Sequence, residues 1–147
     1  MSETHGARNG GRLCVAHEEW PADPRVLAEI RRTVRVWLGA IDIDTHLCDD
    51  LVYATSEAAS NAVEHAYLSP DAGSTVEVTL WSEQGTVNVE IADRGTWLPV
   101  RRYPTNRGHG LRLIRGLIES VGIESGADGT TVTLRHLAAP RPELTYG

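Results

Sequence analysis

Three observations on the amino-acid sequence predict an α+β fold. Residues 26–38, VLAEIRRTVRVWL, repeat apolar side chains at helical spacing, and a second stretch of helical spacing begins after Asp44. STVEVTLW and GTVNVEIAD then alternate apolar and polar residues, which is typical of strands with one buried face. DGTTVTLRHL follows an Asp128-Gly129 turn and predicts a last strand. Apart from one strand at the start, two helical segments precede the paired strands, which fits an α+β protein.

The first elements follow from local signals. Residues 1–11 are polar and rich in glycine, which predicts a disordered leader, and RLCVAHEEW after them predicts a first strand. Asp23 before Pro24 is typical of a helix start, because aspartate caps free N–H groups and proline needs none. We therefore expect the first helix to begin there and to stop at Gly39.

Asp44 is the expected N-cap of a second and longer helix. The side chains expected on its buried stripe are Leu47, Leu51, Ala54, Ala58 and Ala62.

The second half of the chain is expected to form a hairpin, a loop and a third helix. Glu83-Gln84-Gly85 between the two alternating stretches predicts the hairpin turn. RGTWLPVRRYPTNRGHG, residues 94–110, has no periodicity and predicts a long loop. LRLIRGLIESV, residues 111–121, resumes helical spacing.

Composition limits the function classes. A chain of 147 residues with 41% hydrophobic content predicts one domain, over residues 12–138, with a C-terminal tail at 139–147. A net charge of −6 argues against a general role on nucleic acid or on a membrane surface. The two cysteines, Cys14 and Cys48, form no CxxC pair. With no apolar leader segment, the protein is expected in the cytoplasm.

The second helix carries an unusual polar line within EAASNAVEHAY. Glu57, Asn61 and His65 are spaced by four and share one side of a helix. They could simply be solvated or satisfied polar residues at the edge of the core. Alternatively they border a cleft, where a carboxylate accepts a proton and an amide oxygen holds a metal ion. The spacing alone does not decide between the two readings.

Two further features bear on this choice. Asp93 stands at the end of an expected strand, two residues before Gly95, although an aspartate in an ordinary turn would look the same. Gly108 and Gly110 precede the third expected helix, where free N–H groups can bind an anion. Loop flexibility explains these glycines equally well.

The order of these motifs resembles the ATP-binding domain shared by histidine kinases and gyrase-type ATPases. ExxxNxxxH on a helix, DxG after a hairpin strand, a loop, GxG before a helix and a final GTT strand span residues 13–137. The resemblance implies a two-layer α/β sandwich of the Bergerat type, with a mixed, mostly antiparallel sheet covered on one face by three helices. SEAASNAVEHAY looks most like the anti-sigma factor serine kinases of the SpoIIAB and RsbW type.

The resemblance assigns roles to individual residues. It implies that Glu57 is the general base, that Asn61 binds magnesium, and that His65 lies beside the nucleotide. It also implies that Asp93 accepts a hydrogen bond from the adenine amino group and that Thr130 reaches adenine through water. The remaining residues expected to contact the nucleotide are Gly95, Gly108, His109, Gly110 and Leu111.

By the same resemblance, the protein is expected to bind ATP and Mg²⁺ and to be a serine/threonine protein kinase. Its implied partners are a sigma factor, which it sequesters, and a STAS-domain anti-anti-sigma protein, which it phosphorylates; members of this type commonly form homodimers. One departure is Trp97, which stands where the family has a second glycine in its first glycine box. The alternative is therefore a nucleotide-binding or partner-binding regulatory module without phosphotransfer.

Overall fold

The computed structural model describes residues 3–5, 12–68, 74–94, 116–126 and 129–138. The helices are α1, Leu27–Gly39, which follows a 3-10 turn at Pro24–Val26, and α2, Thr45–Leu68. The strands are β1, Glu3–His5; β2, Arg12–Pro21; β3, Thr75–Glu83; β4, Thr86–Arg94; β5, Ser120–Gly126; and β6, Gly129–Leu137.

The six described strands form one sheet in the order β1-β2-β3-β4-β6-β5. Each pairing between neighbouring strands among them is antiparallel. Helices α1 and α2 pack against each other, and α2 lies on β3, β4 and β6. The expected two-layer α+β architecture is therefore confirmed.

Asp23 and Asp44 cap helical segments, as the sequence predicts, although Asp23 caps the 3-10 turn before α1 and α1 itself begins at Leu27. The Asp23 carboxylate accepts a hydrogen bond from the Arg25 backbone N–H at 2.8 Å, in the 3-10 turn that leads into α1. Asp44 Oδ2 accepts hydrogen bonds from the backbone N–H groups of His46 and Leu47, at 3.1 and 3.3 Å. These contacts satisfy donors that have no partner within a helix.

The core lies between the two helices and one face of the sheet. Every residue of the stripe expected on α2 is buried, and α1 adds Ile30, Val34 and Leu38. Alternate residues of β3 and β4 face these helices, because side chains alternate along a strand. The buried members are Val76, Val78 and Leu80 in β3 and Val87, Val89 and Ile91 in β4.

The hairpin between β3 and β4 turns over two residues, Gln84 and Gly85. Both have positive φ, 51° and 79°. This is the conformation of a type I′ turn, whose twist matches that of the flanking strands. The predicted hairpin is confirmed, with Glu83 paired to Thr86.

Two sequence expectations need correction. Residues 3–5 of the expected disordered leader form strand β1, which pairs with β2. The third expected helix, residues 111–121, does not continue to its predicted end. Gly116 and Leu117 are helical, whereas Ser120 and Val121 already belong to β5.

The physical reason for the second error lies in the apolar spacing. Leu117, Ile118 and Val121 repeat as on a helix, and Gly122 is a residue that strands disfavour. Pairing with β6 outweighs both local signals. The other residues of that expected helix, the loop beyond Arg94 and the tail at 139–147 lie outside the described residues.

Candidate functional site

Glu57 and Asn61 lie one helical turn apart on α2, at the border of its buried stripe. Both side chains are half-buried, while Ala58 and Ala62, the residues that follow each of them, are buried in the core. A half-buried carboxylate and amide at such a border can still reach a ligand from the solvent side. His65 continues the same helix by one turn, and its side chain is outside the described part of the structure.

Helix α1 packs against a side of α2 that does not carry Glu57 and Asn61. Arg31 donates a hydrogen bond to Ser56 Oγ at 3.1 Å, and Arg35 forms an ion pair with Asp49 at 2.8 Å. Along an α-helix, Glu57 is rotated by about 100° from Ser56 and Asn61 by about 140°. The edge of α2 that carries Glu57 and Asn61 is therefore not the edge that α1 covers.

Asp93 is the second-last residue of β4 and lies on the face of the sheet that carries the helices. Ile91, two residues earlier and on the same face, is buried in the core. In the sheet, Asp93 pairs with Val76, the second residue of β3. Its side chain is half-buried.

The short connection between α2 and β3 limits how far Asp93 can lie from the C-terminal end of α2. Helix α2 has 24 residues and is therefore about 36 Å long. The chain between its last residue, Leu68, and the first residue of β3, Thr75, can span at most about 25 Å. The start of β3, beside which Asp93 lies, is therefore within about 25 Å of the end of α2 at Leu68. Glu57 and Asn61 lie in the C-terminal half of α2.

Thr130 lies directly opposite Asp93, on the neighbouring strand β6. On its other side, Thr130 pairs with Ser125 in β5, and their hydroxyl oxygens are 3.3 Å apart. Val132 and Leu134 follow on the same face and are buried, so this row also faces the helix layer. Asp93 and Thr130 are thus neighbours on the side of the sheet that carries the helices, and Glu57 and Asn61 lie on one edge of α2, the helix that packs on that side.

Ser125 is not among the predicted site residues, because the sequence pattern around it does not predict strand β5. The hairpin of β5 and β6 is what brings Ser125 beside Thr130. The remaining predicted site residues lie outside the described residues; they are Gly95, Gly108, His109, Gly110 and Leu111, together with Trp97.

Other reactive groups do not form a competing site in the described part of the chain. No group of three or more His, Cys, Asp or Glu side chains there is arranged to hold a metal ion. Cys48 is a half-buried free thiol, and burial raises its pKa, which keeps it protonated at neutral pH. Neither described helix is long and apolar enough to cross a membrane.

This two-layer α+β fold is that of a family of ATPase domains. Residues 20–136 match the Histidine kinase-like ATPase domain family, which covers most of the chain. The protein belongs to this family, as its ordered motifs predicted.

Two relatives indicate the branch of the family to which the chain is similar. An anti-sigma F factor from Geobacillus stearothermophilus is 27% identical over 117 residues, in an alignment that covers 71% of this chain and 80% of that protein. A crystal structure of the RsbU and RsbW domains of Rv1364c from Mycobacterium tuberculosis superimposes with a TM-score of 0.69 at 30% identity. That comparison covers 89% of this chain but only 34% of the solved chain. The similarity is to the SpoIIAB and RsbW type that the sequence predicted.

Proposed function

We propose that this protein binds ATP, acts as an anti-sigma factor and is a serine/threonine protein kinase. The observation that carries the proposal is the position of Glu57 and Asn61, one turn apart on the edge of α2 that α1 leaves uncovered. Membership of an ATPase domain family supports the nucleotide, and similarity to an anti-sigma F factor supports the regulatory role.

Glu57 is the proposed general base. A half-buried carboxylate at the border of the interlayer space is accessible to an incoming serine or threonine hydroxyl and can accept its proton. Phosphoryl transfer otherwise requires positioning and stabilisation of charge on the phosphates. Removal of the carboxylate should therefore reduce transfer while leaving nucleotide binding intact.

Asn61 is the proposed protein ligand of Mg²⁺. An amide oxygen suits this hard cation, which takes few protein ligands and completes its coordination with water and substrate phosphates. The donor set at the edge of α2, an amide with a carboxylate one turn away, fits such a site. When bound, the ion would neutralise charge on the phosphates.

Asp93 and Thr130 are the proposed contacts for the adenine base. A carboxylate can accept a hydrogen bond from an amino group, and a hydroxyl can donate or accept one. Their direct pairing across β4 and β6 supports a shared role. The predicted contacts for the rest of the nucleotide are Gly95, Gly108, His109, Gly110 and Leu111.

The proposed partners are a cytoplasmic sigma factor and a STAS-domain anti-anti-sigma protein, and a homodimer is the proposed assembly. The similarity to RsbW domains and to an anti-sigma F factor supports this assignment. The second candidate function is a regulatory module that sequesters its partner without phosphotransfer. Trp97 favours this candidate, since tryptophan lacks the backbone freedom of the glycine expected there.

A phosphotransfer assay tests the proposal. The wild-type chain and Glu57→Gln are incubated with Mg²⁺, γ-labelled ATP and a panel of purified STAS-domain proteins, and label on the substrate is counted. We expect wild-type transfer and a reduction of at least about 100-fold for Glu57→Gln, within the usual contribution of a general base.

The matched control is Glu19→Gln, which removes an exposed carboxylate on the sheet face away from the helices and should leave transfer unchanged. Equal transfer by Glu57→Gln would overturn the catalytic assignment. Sigma-factor binding without any transfer by the wild-type chain would establish the second candidate.

A further inference from the structure

Three polar side chains form a continuous row across the end of the sheet. Asp93 in β4 pairs with Thr130 in β6, and Thr130 pairs with Ser125 in β5. All three lie on the face that carries the helices. The Ser125 and Thr130 hydroxyl oxygens are 3.3 Å apart, which is long for an O–H···O hydrogen bond and leaves either atom able to donate.

We propose that Ser125 is a positioning residue that fixes the direction of the Thr130 hydroxyl and so determines which purine the site accepts. This inference rests on the proposed binding of an adenine nucleotide at Asp93 and Thr130. Ser125 itself is not proposed to touch the base.

The electrostatics of the row set the direction of its hydroxyl groups. A carboxylate stands at one end, at Asp93, and it favours neighbouring O–H dipoles whose protons point toward it. Ser125 therefore donates to Thr130, and the single proton of Thr130 points away from Ser125, toward a base bound beside Asp93. The row then presents an acceptor, the carboxylate, next to a donor, the Thr130 hydroxyl.

This acceptor and donor match the hydrogen-bonding groups of adenine but not those of guanine. Adenine presents an amino donor beside the N1 acceptor, whereas guanine presents the O6 acceptor beside the N1–H donor. Adenine pairs with the carboxylate and the hydroxyl, directly or through water. Guanine would set its O6 against the carboxylate and leave polar groups of the site unpaired, which is how hydrogen-bonding sites reject analogues.

Without Ser125, the Thr130 hydroxyl loses its fixed donor and can rotate. It can then present a lone pair to N1–H of guanine as readily as a proton to N1 of adenine. Removal of the Ser125 hydroxyl should change the selectivity between the two bases more than the stability of the protein. Ser125 is exposed near the end of β5, which is an edge strand among the described strands.

The test is calorimetric titration of the full chain with ADP and with GDP in the presence of Mg²⁺. For Ser125→Ala, we expect the ratio of the GDP and ADP dissociation constants to fall by about tenfold, the effect of one hydrogen bond. Ser125→Thr keeps a hydroxyl and should retain the wild-type ratio. Ser120→Ala, at the other end of β5 and on the opposite face, is the matched control.

An unchanged ratio in Ser125→Ala, while the wild-type chain binds ADP, would overturn the inference and leave the proposed function standing. Equal weakening of ADP and GDP binding would also overturn it, since that is the effect of a structural role. Failure of the wild-type chain to bind ADP at all would overturn the proposed function and this inference with it.

Discussion

Asp93 in β4 lies directly opposite Thr130 in β6, although the two residues come from separate stretches of the sequence. A carboxylate acceptor and a hydroxyl are thereby neighbours on the sheet face that supports α2. Residues opposite each other in an antiparallel pair have Cβ atoms about 5 Å apart. A single planar ligand can therefore contact both, which is the geometric basis of the proposed base recognition.

Asn61→Ala should weaken the contribution of Mg²⁺ to nucleotide binding. The alanine removes the amide oxygen without disturbing the helix, because alanine is the best helix former. We expect magnesium to strengthen ATP binding by the wild-type chain and this gain to fall by roughly tenfold or more in the variant. Calorimetric titration with ATP, with and without Mg²⁺, measures the gain. Ser60→Ala, one residue earlier and also half-buried, is the control. If Mg²⁺ strengthened ATP binding by Asn61→Ala as much as by the wild-type chain, the assignment would be contradicted.

Thr55→Val should stabilise the protein. Thr55 is only 1% exposed, and its hydroxyl has no hydrogen-bond partner among the described residues. Burial of a hydroxyl without a partner costs free energy, whereas valine has nearly the same shape and no polar atom. We expect the free energy of unfolding to rise by about 1 kcal/mol in urea titrations. Thr33→Val in α1, at a partly exposed position, should change it by less than about 0.5 kcal/mol. A loss of stability in Thr55→Val would show that the hydroxyl is satisfied in solution.

Gln84→Asn should also stabilise the protein, through the β3–β4 turn. Gln84 has a φ of 51°, a conformation that asparagine adopts more readily than glutamine. The expected increase in the free energy of unfolding is about 0.5 kcal/mol, again from urea titration. Gln84→Val serves as the opposite control, because a β-branched side chain at positive φ is strained and should destabilise the turn. Equal stability of the two variants would argue against a type I′ turn.

The Asp23 carboxylate should make stability depend on acid pH. Hydrogen bonds from the Arg25 side chain, and then from its backbone N–H, lower the pKa of Asp23 from 3.8 to about 2. A carboxyl with a lowered pKa in the folded state contributes stability that is full above its unfolded pKa and is lost as the pH falls through the folded pKa. The contribution therefore fades between about pH 4 and pH 2, and it is small because the pair is exposed.

Asp23→Asn keeps a capping side chain and removes this titration. Urea midpoints of the wild-type chain and the variant, measured from neutral pH down to about pH 2, should converge as the pH falls. A constant difference between them over that range would show that the ion pair does not contribute.

Much of the fold could be predicted from local patterns. The aspartate caps, the buried stripe of α2 and the β3–β4 hairpin were expected from the sequence and are confirmed. Each depends on residues close together in the chain, whose spacing directly reflects the period of a helix or a strand. Strand β5 was missed because Val121 continues the helical spacing of Leu117 and Ile118, and because Gly122 disfavours a strand.

The candidate site also combines features that local sequence predicts with features that it does not predict. The sequence by itself determined that Glu57 and Asn61 share one edge of a helix, and the order of the motifs indicated the family. Only the tertiary structure decided that α1 covers a different side of α2, and that Asp93, Thr130 and Ser125 form one row. Helical spacing is fixed by the geometry of 3.6 residues per turn. Strand order and register depend instead on contacts between residues far apart in the chain, which no local pattern encodes.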